Sequence, residues 1–137
     1  MIPDDELPHI VMGACMEVHR QLGPGWEAHA YRAALAQELR LKEMFFKLEV
    51  PIPITYKGER IPTAARADFL IEERLLVMVH ACPALDPIHK AQLTSFLRQS
   101  GLPSGFVINF NVTDLRQGVK RVVIRDGSET TDEPRTP

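Results

Sequence analysis

Cysteine is scarce: Cys15 and Cys82 are the only two in 137 residues. Two cysteines cannot build a disulfide framework, and their number points to a reducing, cytoplasmic setting. Long apolar runs are missing too. No stretch approaches the roughly 18–20 residues needed to cross a bilayer, which excludes an integral membrane protein. The N-terminus, Met-Ile-Pro-Asp-Asp-Glu, is acidic where a secretory signal would be basic. A marked excess of one charge is also lacking. The formal net charge is −2, which argues against a strongly basic nucleic-acid binder. There is no Gly-rich phosphate loop, no nucleophile elbow and no thiol redox motif, nor any internal repeat. With 45% hydrophobic and 25% charged residues, the composition excludes a wholly disordered, collagen-like or coiled-coil protein.

What is present is enough chain for one domain with a sizeable core. The charge is unevenly spread. Asp4, Asp5 and Glu6 lie at one end, and Asp126, Glu129, Asp132 and Glu133 at the other. Between His9 and Arg125, 15 Lys and Arg face 11 Asp and Glu. A mildly basic body with acidic ends permits phosphate binding without requiring it. Residues 1–8 read as a short lead-in, 9–125 as a single domain, and 126–137, almost free of apolar residues, as a disordered acidic tail.

Within the body, Ile10, Val11, Ala14, Cys15, Val18 and Leu22 recur at spacings of three and four, predicting a helix over His9–Leu22. Gly23-Pro24-Gly25 stops it. A second helix is expected over Glu27–Leu41, with Ala28, Tyr31, Leu35 and Leu39 on its apolar face. The period then changes to two. Leu48, Val50, Ile52, Ile54 and Tyr56 predict one strand, with Pro51 and Pro53 placing it at an edge or bulge. Lys57-Gly58-Glu59 reads as a turn. Arg66–Ile71 and Leu75–Ala81, separated by three residues, predict a hairpin. Asp86-Pro87 starts a third helix that ends near Gln99. Gly105–Asn111 is a further strand, and Val119–Ile124 a short last one. The order α-α-β-β-β-α-β defines an α/β fold with a mixed sheet.

Chemistry is most readily placed on the predicted hairpin. Asp68 is a carboxylate in an otherwise apolar strand, costly to bury unless paired or bound to a metal. Met78, His80 and Cys82 alternate on one face of the next strand, and Glu17 on the first helix is a further candidate. The bland alternatives are an Asp68 paired with Arg66 or another cation, a satisfied His80, and a polar helix face around Glu17 and His19.

These segments resemble the GxxExxY family, a small bacterial branch of the PD-(D/E)xK nuclease superfamily. Gly13–Gly25 is similar to its first-helix signature and Arg66-Ala67-Asp68 to its second-strand motif. His89-Lys90-Ala91-Gln92-Leu93 and Gly105–Asn111 resemble its third helix and following strand. The resemblance covers about residues 9–124. It implies a restriction-endonuclease-like core, a central four-stranded mixed sheet flanked by helices. It also implies an ancestral Mg²⁺ site, carried over here to Asp68, Met78, His80 and Glu17, with Gln92 as another polar position.

Several of these positions depart from the family pattern. Met78-Val79-His80 stands where the family has Glu-x-Lys. Gly25 and Tyr31 of the name-giving motif are in place, but its Glu position holds Ala28. Glu27, one residue early, is rotated by about 100° on a helix and cannot replace it. A thioether is too soft to hold Mg²⁺. Glu72 is roughly 13 Å along the strand from Asp68, too far to share one ion. His80 lacks the fixed positive charge of lysine. A rewired Zn²⁺ site from Glu17, Asp68, His80 and Cys82 has suitable donors but no close-spaced ligand signature.

The expectation is therefore a pseudo-nuclease without a cofactor, keeping a surface for nucleic acid or protein. An active nuclease with a rearranged site (Glu17, Asp68, His80 and Gln92, with Mg²⁺ or Mn²⁺) and a homodimeric interaction module are the alternatives.

Overall fold

The computed structural model describes residues 2–125 and the backbone course of 128–132. Helix α1 spans Leu7–Leu22 and α2 Ala28–Leu41. Strands β1 (Phe46–Pro51), β2 (Ile54–Tyr56) and β3 (Glu59–Ile61) follow. The hairpin β4 (Arg66–Ile71) and β5 (Leu75–His80) leads to α3 (Pro87–Ser100) and β6 (Ser104–Asn109). A single 3-10 turn, Leu115–Gly118, precedes β7 (Val119–Arg125) and β8 (Ser128–Asp132).

The sheet has the order β1-β4-β5-β6-β7-β8, with β2 and β3 forming a separate pair. Among the described residues only β5 and β6 are parallel, joined by the α3 crossover; the other neighbours are antiparallel. Helices cover both faces. Leu75, Val77 and Val79 of β5 pack with α1 and α2 residues such as Val11, Tyr31 and Leu35. Leu76 and Met78 pack on the other side with Leu93 and Leu97 of α3. A strand covered on both faces reads as a continuous apolar run, as β5 does. Close approach at α3 depends on Gly105, where an added Cβ would lie 2.7 Å from the Leu76 carbonyl oxygen and 2.8 Å from Leu93 Cδ1.

The expected α/β architecture is present, with differences at its margins. The sheet has six strands rather than four. The predicted Leu48–Tyr56 strand is divided after Pro51, because prolines at 51 and 53 offer no N–H to a ladder. The buried Ile52 between them donates its amide to Ala65 O at 3.1 Å, and the chain then enters the β2–β3 pair. Helix α1 begins at Leu7, so the lead-in is shorter than expected, and Arg74 Nη1 ties it down through Asp4. The segment expected to be a disordered tail contains β8, which pairs Arg125↔Ser128 through Arg121↔Asp132. Residues 126–127 and 133–137 of that tail lie outside the described residues. No helix among the described residues is long and apolar enough to cross a membrane.

Candidate functional site

The β4–β5 ladder pairs Ile71↔Leu75, Leu70↔Leu76 and Phe69↔Val77. Beyond it, Asp68 Oδ2 accepts the Val79 amide proton at 2.7 Å. The side chain thus takes over a hydrogen bond that a strand carbonyl would otherwise make. One carboxylate oxygen is already engaged with the fold. Asp68 is half-buried and lines a cavity of about 390 Å³ between α2 and β1.

The two residues that the resemblance sets at the Glu and Lys positions are placed differently from each other. Met78 is 6% exposed and packs into the core beneath α3. His80 ends β5 half-buried. Its ring centroid lies 4.6 Å from that of His89, tilted by 54°. His89 is itself fixed on α3, its Nδ1 accepting the Asp86 amide proton at 2.9 Å. His80 Nε2 is buried without a hydrogen-bond partner. Burial, then the neighbouring His89, hold the His80 pKa below its ordinary 6.5; Asp68 opposes them without prevailing, and Arg32 adds to the depression. An imidazole kept neutral in this way does not replace a lysine ammonium.

Glu17 belongs elsewhere. Its carboxylate accepts bonds from Arg20 Nε and Nη2 at 3.0 and 2.9 Å and from Gln21 Nε2 at 3.0 Å. Those hydrogen bonds, Gln21's first, hold it below the usual carboxylate range. It opens onto a different cavity, beside Gly13, Met16, His19 and Leu115. Gln92 is exposed on α3, whose buried residues are Leu93, Thr94 and Leu97. The Cys82 thiol donates to Ala84 O at 3.3 Å. Structure therefore brings Asp68 and His80 into mutual electrostatic range but lines Glu17 and Asp68 on separate cavities.

Gly25 and Tyr31, the two residues that the resemblance matches to the motif, have a structural part. Gly25 adopts φ 104°, a conformation open to glycine. Tyr31 is fully buried; its hydroxyl donates to Gly23 O at 2.6 Å and accepts the Trp26 amide proton at 3.2 Å. Its ring stacks on Phe110 at 4.6 Å, 11° from parallel. Together they clamp the loop between α1 and α2. Ala28, which the resemblance sets at the motif's Glu position, is the first residue of α2.

The donor set does not fit Mg²⁺. Among the described residues, no group of three or more His, Cys, Asp and Glu is placed to hold a metal ion. Asp68 has half its carboxylate committed to Val79, and the neighbouring position offers a buried thioether.

Sequence reasoning overlooked the cleft's other charges. His29, Arg32 and Arg40 of α2, and Glu49 of β1, line the same cavity as Asp68. The available signal was a basic stripe at helical spacing, His29, Arg32 and Arg40, flanking the Tyr31–Leu35–Leu39 face. It also overlooked Asn109, 1% exposed, which accepts the Cys82 amide proton and donates to Cys82 O, each at 3.0 Å. A lone Asn in an apolar strand carries that signal, since a buried amide must be satisfied.

A mixed sheet with a hairpin-borne acid on an interior strand and helices on both faces is the framework of a restriction-endonuclease-like α/β protein. The chain belongs to the PD-(D/E)XK nuclease superfamily, whose family model matches residues 5–122. No curated protein and no solved structure matches it.

Proposed function

We propose that this chain is a nuclease-fold protein that has lost metal-dependent phosphodiester cleavage and keeps its scaffold for binding nucleic acid or protein. The observation that supports this reading is the state of the hairpin. The family's second acid is replaced by Met78, packed in the core, while Asp68 is engaged by the Val79 amide. Losing the acid–base group alone costs roughly 10²–10⁴ in rate, and losing the metal removes water activation and charge stabilisation together. A neutral His80 supplies no fixed positive charge to the phosphoryl group.

The test is incubation of purified protein with single- and double-stranded DNA and RNA, with Mg²⁺ or Mn²⁺. The reading expects no cleavage above that of the Asp68→Ala variant. Cleavage that disappears with Asp68→Ala contradicts it. Retained binding to nucleic acid is read from salt dependence, because phosphate contacts release counterions; affinity that is flat between low and moderate salt favours a protein partner.

A further inference from the structure

The cavity beside Asp68 has a lining that the loss of cleavage leaves unexplained. His29, Arg32 and Arg40 present a stripe of α2 to it, while Glu49 and Asp68 face it from β1 and β4. Opposite charges share one cleft, yet among the described residues no ion pair joins any of these cations to either acid. Arg32 is half-buried. Arg40 lies over the Phe46 ring at 5.7 Å and reaches only Gln37 Oε1, at 3.4 Å. Arg40 is exposed. A guanidinium at a cleft without a carboxylate partner can take an anion, and its fork matches phosphate geometry.

The rest of the lining is equally selective. Glu49 holds φ 50°, an unusual conformation for a residue with a side chain, and it lies at the cleft. Such outliers persist where surrounding structure imposes them and cluster at binding sites. Two carboxylates are acceptors for hydroxyl or amino groups. Leu48, 49% exposed, lines the same cavity with Ala33 and Ala36 and gives it an apolar wall. The volume, about 390 Å³, falls within the range of small-molecule sites.

We propose that this cleft binds a nucleoside monophosphate, with the phosphate on Arg32 and Arg40, the ribose hydroxyls on Glu49 and Asp68, and the base against Leu48. The three chemistries are those of phosphate, polyol and flat ring. The site needs no metal and does not depend on whether the chain cleaves nucleic acid.

The experiment is calorimetric titration of the full chain, in EDTA and low salt, with AMP, adenosine and inorganic phosphate as separate probes. AMP is expected to bind at least roughly tenfold more tightly than either fragment, since it engages both halves of the cleft. Arg32→Gln is expected to weaken AMP by roughly tenfold. Glu49→Gln, on an exposed residue, weakens AMP while leaving phosphate unchanged. Arg116→Gln, away from the cleft, serves as the control. Circular dichroism melting confirms that each variant is folded, and Arg40→Gln is a second cation variant should Arg32→Gln not fold. Equal affinity for AMP in wild type and the folded cation variant overturns the proposal. So does a cleft that binds phosphate as well as AMP, or neither. Cleavage in the separate metal-dependent assay bears on the loss of activity and leaves this proposal standing.

Discussion

Asp68 and Val79 are joined across the β4–β5 hairpin by a 2.7 Å hydrogen bond from amide to carboxylate. The acid that the sequence resemblance sets at a metal position completes a strand pair here. Its removal therefore has a structural cost. Asp68→Ala leaves the Val79 amide unpaired and is expected to destabilise by about 1–3 kcal/mol, whereas Asp68→Asn keeps an acceptor and costs less. Denaturant unfolding of the two variants checks this. Equal losses would mean that the carboxylate charge, and not the hydrogen bond, supports the hairpin.

Met78 offers a complementary comparison. Met78→Leu keeps an apolar group of similar volume in the α3-side core and should cost under about 1.5 kcal/mol. Met78→Glu, which introduces the acid that the resemblance expects there, buries a carboxylate among Leu70, Leu76 and Leu93 and should cost more than about 2 kcal/mol. The midpoints of urea unfolding report both.

The pH dependence follows from His80. Its folded-state pKa lies below the ordinary 6.5. Below about 6.5 the unfolded chain takes up a proton that the folded chain resists, so stability falls as pH falls toward the folded pKa. Above 6.5 both states are neutral and the penalty vanishes. Melting temperatures between pH 5 and 7.5 should decline on the acid side in wild type, and less steeply in His80→Asn.

The two thiols should react differently. Burial pushes the Cys15 pKa up to about 12, so its thiolate is scarce and its sulfur enclosed. Cys82 is only half-buried. A thiol reagent should modify one cysteine in the native protein and both in denaturant, with mass spectrometry of peptides locating the first at Cys82.

The turn of the site hairpin contains stored strain. Glu72 and Glu73 hold φ 53° and 60°, and the Arg74 amide donates to Ile71 O at 3.1 Å, the geometry of a turn that prefers Asn-Gly. Glu72 also accepts the Phe45 amide proton at 2.7 Å, so it has a reason to stay. Glu73 makes only an exposed ion pair with Lys47. Glu73→Gly is expected to raise stability by about 0.5–1 kcal/mol, as measured by thermal melting.

The hairpin shows what the sequence could disclose. Apolar runs on either side of a short polar break determine β4 and β5, because both faces of each strand meet the core. Helix α3 was legible from Asp86-Pro87, whose chemistry is local. The β2–β3 pair was not, since Glu59-Arg60-Ile61 is exposed throughout and carries no alternation. Strand β8, Ser-Glu-Thr-Thr-Asp, is polar at every position and is specified by the free edge of β7 rather than by its own pattern. At the site, the identity of Asp68 was plain but its engagement was not: the Val79 bond depends on how two strands meet. The cleft's charges come from α2, β1 and β4, and no local spacing brings together Arg32, Glu49 and Asp68.

Titration of the protein with Mn²⁺ by calorimetry tests the central claim most directly. The structure engages Asp68 in the hairpin, and among the described residues no group of three or more His, Cys, Asp and Glu is placed to hold a metal ion, so wild type and Asp68→Asn should give the same weak, featureless heats. A single saturable Mn²⁺ site in wild type that vanishes in folded Asp68→Asn would contradict the account.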